Sequence, residues 1–295
     1  MNNPALYHED NLNPILLPVT NTGRVSFRIS CYTNPSNYIT IFNGQRVTIS
    51  NLLMDYTAGL SGSISTVASP TIFTGNVKIY PTLGRSNVYS LVLGDTQSSF
   101  NSNRYNIQDL GQFLEQFPRL YSFRIGSYHY GVEDRKPTIK ADFATIPKYV
   151  KKIYIENCDI VAQTTNIKYD LSVALPDSEL EYFRWQTTYL NITLNIYGDL
   201  ANLPPNMYYF RVQNVLSSTT QIYTPGRVWR ADFDTFYFNK VLSATIVDNI
   251  LIDMSNSITS AVGGKIIYLR GTRTSASDSA VTYLQSLGFT VTITA

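Results

Sequence analysis

Apolar residues along this chain follow two rhythms. From Val25 onward they alternate, with Val25, Phe27, Ile29 and Cys31 on one side, and Tyr38–Phe42 and Arg46–Ile49 continue the alternation on either side of Asn43-Gly44. A period of two marks a strand with one face on a core, and Asn-Gly between two such runs predicts a hairpin because both turn residues must adopt positive φ. A further strand is expected at Asn76–Tyr80, after the Gly/Ser-rich stretch Ala58–Ser65. Six-residue segments then take over: Val88–Leu93, Leu120–Ile125, Val150–Ile155, Leu180–Trp185 and Met207–Val212. Each is apolar at its first, fourth and sixth positions, and they recur about every 30 residues.

The connectors carry patterns of their own. Asn106–Phe117 reads as an amphipathic helix, capped by Asn106, with Ile107, Leu110, Phe113, Leu114 and Phe117 on one face and Pro118 to end it. Shorter connectors such as Ala144–Pro147 and Leu200–Pro205 predict a turn or a 3₁₀ segment. The end of the chain predicts a Ser243-capped helix over Leu242–Asp253, a strand over Gly263–Arg270, a helix over Ser277–Leu287 stopped by Gly288, and a strand over Phe289–Thr294.

Two resemblances follow from these segments. Leu203-Pro-Pro-Asn-Met-Tyr-Tyr-Phe-Arg-Val-Gln-Asn214 and Ile146–Cys158 resemble the Leu-Pro-containing bacterial leucine-rich repeats, with Cys158 where that family places Asn or Cys and aromatic residues in place of many leucines. The expected fold class is therefore an α/β repeat, an irregular leucine-rich-repeat-like solenoid, with a small N-terminal antiparallel β unit. Its expected domains are an extended arm at residues 1–24, a β anchoring unit at 25–84 and the repeat domain with a C-terminal cap at 85–295. The helix, strand, helix and Gly-aromatic-Thr-Val-Thr ending resembles the C-terminal module of repeat-bearing virion proteins, especially fibre proteins of tailed phages such as the crAss-like group. That resemblance implies a head or tail fibre that displays a binding surface for host attachment. It also implies a homo-oligomer, trimer or dimer, attached to other virion proteins of capsid or tail through the N-terminal region. A bacterial cell-surface leucine-rich-repeat adhesin fragment is the alternative.

Composition narrows the function classes. Only 15% of residues are charged, against about a quarter in ordinary domains, while Tyr contributes 22 residues. Tyr, Asn, Ser and Thr together make an uncharged but polar contact vocabulary. A net charge of +2 and the lack of a long basic run give no reason to expect a nucleic-acid partner. No window approaches a membrane span, so membrane insertion is not expected. Met1–Asp10 lacks the basic and apolar regions of a secretory signal, and the expected location is the virion, after synthesis in the host cytoplasm. Cys31 and Cys158 lie far apart in different expected domains, which argues against a disulfide.

Nothing in the sequence points to catalysis, a cofactor or a metal. The histidines, His8 and His129, share no metal-ligand spacing with a cysteine, and His129 reads as a loop residue. The carboxylates Glu133-Asp134 and Glu179-Leu-Glu181 could in principle cleave a glycan, but adjacent pairs of this kind are ordinarily solvated. The strand register nominates a surface instead. With positions one, four and six inward, the outward positions bring up a stripe of Arg124, Lys152, Tyr154, Tyr182, Arg184, Tyr209 and Arg211. Arg and Tyr dominate protein interface hot spots, and aromatic faces suit sugar rings. A receptor protein or surface glycan site, a subunit contact and a plain solvated face all fit the stripe. Trp185 takes an inward position and reads as core, and Trp229 sits where the pattern degenerates.

Overall fold

In the computed structural model the chain divides into two compact units. The first comprises Met1–Ala141, Thr145–Val150 and Ile155–Gln163, and the second Asp142–Ala144, Lys151–Tyr154 and Thr164–Ala295. The structure describes the strands named below, Ser172, and residues 109–126, 145–156, 177–186, 195–213, 221–260 and 265–295.

The first unit contains β1 (Ile15–Val19), β2 (Val25–Cys31), β3 (Tyr38–Phe42), β4 (Gln45–Val47), β5 (Leu53–Asp55), β6 (Gly59–Ile64), β7 (Gly75–Pro81) and β8 (Val88–Leu93). It continues with β9 (Asn106–Ile107), helix α1 (Leu110–Glu115), β10 (Ser122–Gly126) and β11 (Thr138–Ile139). Strand β12 (Lys152–Glu156) carries residues of both units, and β13 (Asp159–Ile160) returns to the first. Strands β1, β7, β3 and β4 pair in that order, all antiparallel, and Phe42 faces Gln45 across the hairpin expected at Asn43-Gly44. β1 falls inside the segment expected to be an extended arm. A second order, β5-β6-β2-β8-β10, is antiparallel until β8 and turns parallel between β8 and β10. Short strands β13, β11 and β9 form a parallel set of their own.

The one-four-six register holds wherever side chains are described. Val88, Leu91 and Leu93, then Leu120, Phe123 and Ile125, then Val150, Ile153 and Ile155 are all buried. Leu110, Phe113, Leu114 and Phe117 of the helical segment are buried as well, with Phe113 edge-on to both Phe117 and Phe123. The helix itself starts later than the sequence predicts. Asn106 and Ile107 are drawn into β9, where they face Thr138 and Ile139, and Asp109 is the cap, its Oδ1 accepting from the Gln112 N–H at 3.0 Å.

The second unit holds β14 (Lys168–Leu171), β15 (Tyr182–Gln186), β16 (Asn195–Gly198), β17 (Tyr209–Val212), β18 (Thr235–Leu242), α2 (Ala244–Ser257), β19 (Ile266–Gly271), α3 (Asp278–Ser286) and β20 (Thr290–Thr294). Its main sheet runs β15-β17-β18-β19-β20, every neighbour parallel, and β14 pairs with β16 apart from it. Phe183, Trp185, Phe210, Val212, Phe236, Phe238, Ile267 and Leu269 line the core face, joined by Val247, Ile250, Leu251 and Met254 of α2 and Leu284 of α3.

These observations correct the expected fold class. The main strands pair in parallel within each unit, β8 with β10 in the first and β15, β17, β18, β19 and β20 in the second, with few helices, which is an α/β sheet architecture, and no repeat solenoid is seen among the described residues. The physical reason lies in the connectors. Any strand with one face on a core gives positions four and six, and position one needs only a buried residue where the chain enters the strand. A solenoid also requires the return path to repeat. Here the return contains α1 before β10, a 3₁₀ turn at Leu200–Asn202 before β17, and the 14-residue α2 between β18 and β19.

Local chemistry fixes the ends of these elements. Ser243 caps α2 by accepting from the Ile246 N–H at 3.4 Å. At the end of α3, Gly288 takes φ 86°. Its N–H donates to the Gln285 carbonyl at 2.9 Å, and the Phe289 N–H donates to the Leu284 carbonyl at 3.1 Å. This left-handed cap needs glycine, and it delivers the chain directly into β20. Buried carboxylates hold the connectors. Asp199 accepts from the N–H (3.0 Å) and hydroxyl of Thr224, and Asp248 accepts from the N–H (3.1 Å) and hydroxyl (2.6 Å) of Thr274 and from the Ser277 hydroxyl (2.6 Å). Burial pushes the Asp248 carboxyl up, but the hydrogen bonds from Ser277 and Thr274 outweigh it, so the group ionises below its ordinary range. Asp253 accepts from the Tyr223 hydroxyl (2.8 Å) and from the N–H groups of Gly226 (2.7 Å) and Arg227 (3.1 Å).

Candidate functional site

Parallel strands in register place like positions side by side, about 4.8 Å apart. Tyr182 on β15 faces Tyr209 on β17, and Arg184 faces Arg211. The row extends from Arg211 to Tyr237 on β18 and on to Tyr268 on β19. The outward side chains respond by stacking. The Tyr182 and Tyr209 rings lie 4.0 Å apart and 9° from parallel, Tyr154 stacks on Tyr182 at 4.4 Å, and Tyr208 meets Tyr182 edge-on at 6.1 Å. One row over, the Arg211 guanidinium lies 4.8 Å above the Tyr237 ring, whose other face stacks on Tyr268 at 4.2 Å. The Tyr268 hydroxyl in turn hydrogen-bonds the Thr294 hydroxyl at 3.0 Å.

Of the residues nominated from sequence, Tyr154, Tyr182, Arg184, Tyr209 and Arg211 come together in this ladder on the second unit, and Lys152 sits half-buried on β12 in the same unit. Arg184 donates to the Gln186 side-chain oxygen from both Nε and its terminal nitrogen. Arg124 belongs to the first unit, where its guanidinium is ion-paired to Glu156 at 2.7 Å. Tyr208, Tyr237 and Tyr268 also belong to the ladder and were not nominated. Their signal was present: Phe233-Asp-Thr-Phe-Tyr-Phe238 repeats the one-four-six spacing and puts Tyr237 at position five.

Burial, then hydrogen bonding with Tyr209 and the proximity of the Tyr209 and Tyr154 phenols, raises the Tyr182 phenol well above its ordinary range, with Arg184 opposing. The ladder is thus a row of phenol hydroxyls flanked by guanidinium groups. Arg211 Nε is buried with no hydrogen-bond partner among the described residues. Tyr182 is stacked from both sides, by Tyr154 and Tyr209, and Tyr237 lies between Arg211 and Tyr268, so these two central rings offer a partner their edges and hydroxyls.

Other groups singled out from the sequence lie apart from the ladder's stacked rings or outside the described residues. Glu179 and Glu181 both face Lys151, at 3.7 and 3.2 Å. Trp185 is core, and Trp229 is also buried, donating from Nε1 to the Tyr223 hydroxyl at 3.3 Å beneath the Arg227 guanidinium. His8, His129, Glu133, Asp134 and Cys158 lie outside the described residues. Among the described residues no group of three or more His, Cys, Asp and Glu could hold a metal ion, and no helix is long and apolar enough to cross a membrane. Comparison with family models, with curated proteins and with solved structures finds no match for this chain.

Proposed function

We propose that this protein is a non-enzymatic structural component of a phage particle, a head or tail fibre, and that the Tyr/Arg ladder is the surface with which it grips another protein. The observation that carries the binding role is the ladder itself: Tyr154, Tyr182 and Tyr209 in one stack, with Arg211, Tyr237 and Tyr268 in the next. Pre-stacked rings lose little freedom on binding, and Tyr and Arg are the residue types from which hot spots are made. A sugar-stacking platform requires an open ring face, whereas the two central rings of the ladder, Tyr182 and Tyr237, have neighbours from both sides. Hydroxyls and guanidinium groups along a ridge match the polar backbone and side chains of a protein partner. The virion setting rests on the resemblance of the Leu242–Ala295 segment to phage fibre modules, and attachment to the particle through the N-terminal region belongs to the same reading.

The test is the double variant Tyr182→Ala/Arg211→Ala carried in particles. The expected result is a folded protein and normal particle composition with weakened adsorption to host cells. Unimpaired adsorption would remove the ladder from host attachment, and absence of the protein from purified particles would overturn the virion assignment.

A further inference from the structure

We propose that β20 is the pairing edge of a twofold dimer of this chain, in which two β20 strands meet antiparallel about Thr292. The inference is separate from the ladder reading and rests on the backbone of the last strand. Among the described strands β20 pairs with β19 alone, as the end member of its sheet. The Thr290 N–H donates to the Lys265 carbonyl at 2.9 Å, and Thr290 faces Ile266 in the register. Backbone groups alternate sides along a strand, so those of Thr290, Thr292 and Thr294 are directed at β19 and those of Val291 and Ile293 away from it. A twofold axis at Thr292 sets Val291 opposite the partner's Ile293, and Ile293 opposite the partner's Val291. Both are hydrogen-bonded pairs of an antiparallel ladder, so every outward N–H and C=O of the two residues is satisfied at once.

The side chains suit the same axis. Val291 and Ile293 continue the core face, in register with Ile267 and Leu269, which are fully buried, yet they are themselves only half-buried. The core row therefore runs out to the edge unfinished. An antiparallel second copy would extend it with the same two side chains and would set threonines opposite threonines on the other face, a favourable cross-strand pairing. Thr-Val-Thr-Ile-Thr reads nearly the same in both directions, which is what makes its own copy the fitting occupant.

Charge completes the case. Exposed edges are normally guarded by lysine, proline or a bulge. From Ser279 to Ala295 the sequence has no Asp, Glu, Lys, Arg or Pro, and the β19–β20 register runs without interruption. Two such edges bring no like charges together.

Sedimentation of the full chain should give the mass of a dimer. Thr292→Lys, an outer-face change that sets two ammonium groups against each other on the axis, should give folded monomers whose melting no longer depends on protein concentration. Mixing Thr292→Lys with Thr292→Glu should restore a dimer containing one of each. Val291→Pro, which deletes an outward donor and leaves the β19 ladder intact, gives a second route to monomers, and hydrogen exchange at Val291 and Ile293 should accelerate in both variants. A wild-type monomer, or a dimer that survives both Thr292→Lys and Val291→Pro, overturns the proposal. Tyr182→Ala/Arg211→Ala should leave the mass unchanged, so this inference and the ladder reading fail separately.

Discussion

Phe183, Phe210 and Phe236 line up on one face of β15, β17 and β18, while Tyr182 and Tyr209 line up on the other. The rings differ by one oxygen, yet they settle differently. The inner centroids stand 5.9 and 5.5 Å apart with planes turned by 26° and 39°, whereas the outer pair closes to 4.0 Å and 9°. Inner rings must also fit neighbours such as Trp229, which meets Phe236 edge-on at 5.4 Å, and they compromise between partners. The outer rings answer mainly to one another. Packing against a core therefore sets the inner ladder, and strand spacing sets the outer one, which leaves the outer free to be used by something else.

The harshest way to break the comparison is Phe183→Asp. Phe183 has no solvent exposure, and an unpaired carboxylate there costs several kcal/mol, a large share of ordinary domain stability. The variant should lose its cooperative thermal transition, and an unaltered melting curve would show that the inner face is misread. Phe210→Tyr asks the subtler question. It adds one oxygen on the core side, where a buried hydroxyl without a partner costs about 1–3 kcal/mol by denaturant titration.

Alkaline pH probes the outer face. The Tyr182 phenol is raised in the fold, so its contribution is fully present below the ordinary tyrosine range, near pH ~10, and is lost as pH rises through the folded value. Stability should fall at high pH. Tyr182→Phe should lessen that fall without abolishing it, because burial and the Asp253 hydrogen bond raise Tyr223 as well. The mildest change is Tyr209→Phe, the same single oxygen as Phe210→Tyr but on the outer face. Its effect on stability should stay within about 0.5 kcal/mol while binding to a protein partner weakens. Equal costs for the two oxygen changes would erase the distinction between the faces.

How much of this the sequence disclosed depends on the range of the interaction. The inward register was legible at Phe183 and Trp185 because burial on one face writes itself into every second residue, and at Leu180 because the residue leading into the strand is buried as well. The Ser243 cap and the Gly288 stop were legible because a cap is local. The start of α1 was not, since pairing of Asn106 with a strand distant in sequence overrode its capping chemistry. The fold class failed for the same reason: strand spacing is local, and the return path between strands is decided by tertiary packing. Tyr237 and Tyr268 escaped notice because Phe and Ile occupy positions where leucine was expected. The face-to-face closure of Tyr182 on Tyr209 is a property of the folded sheet that no single strand encodes.

Asp199, Asp248 and Asp253 each reach across about one strand interval to hold a connector, as in Thr224 to Asp199 and Thr274 to Asp248. Under mechanical load this matters more than it does at rest. If tension draws on the chain from its C-terminal side, β20 and α3 come away first, but β19 cannot follow as loose ribbon. The tether at Asp248, with its three donors, must first be ruptured before the β19 connector is freed, and the one at Asp253 guards the stretch before β18. Extension would then proceed in discrete force steps, each opening one staple. A shaft bearing drag at one end would need such graded resistance.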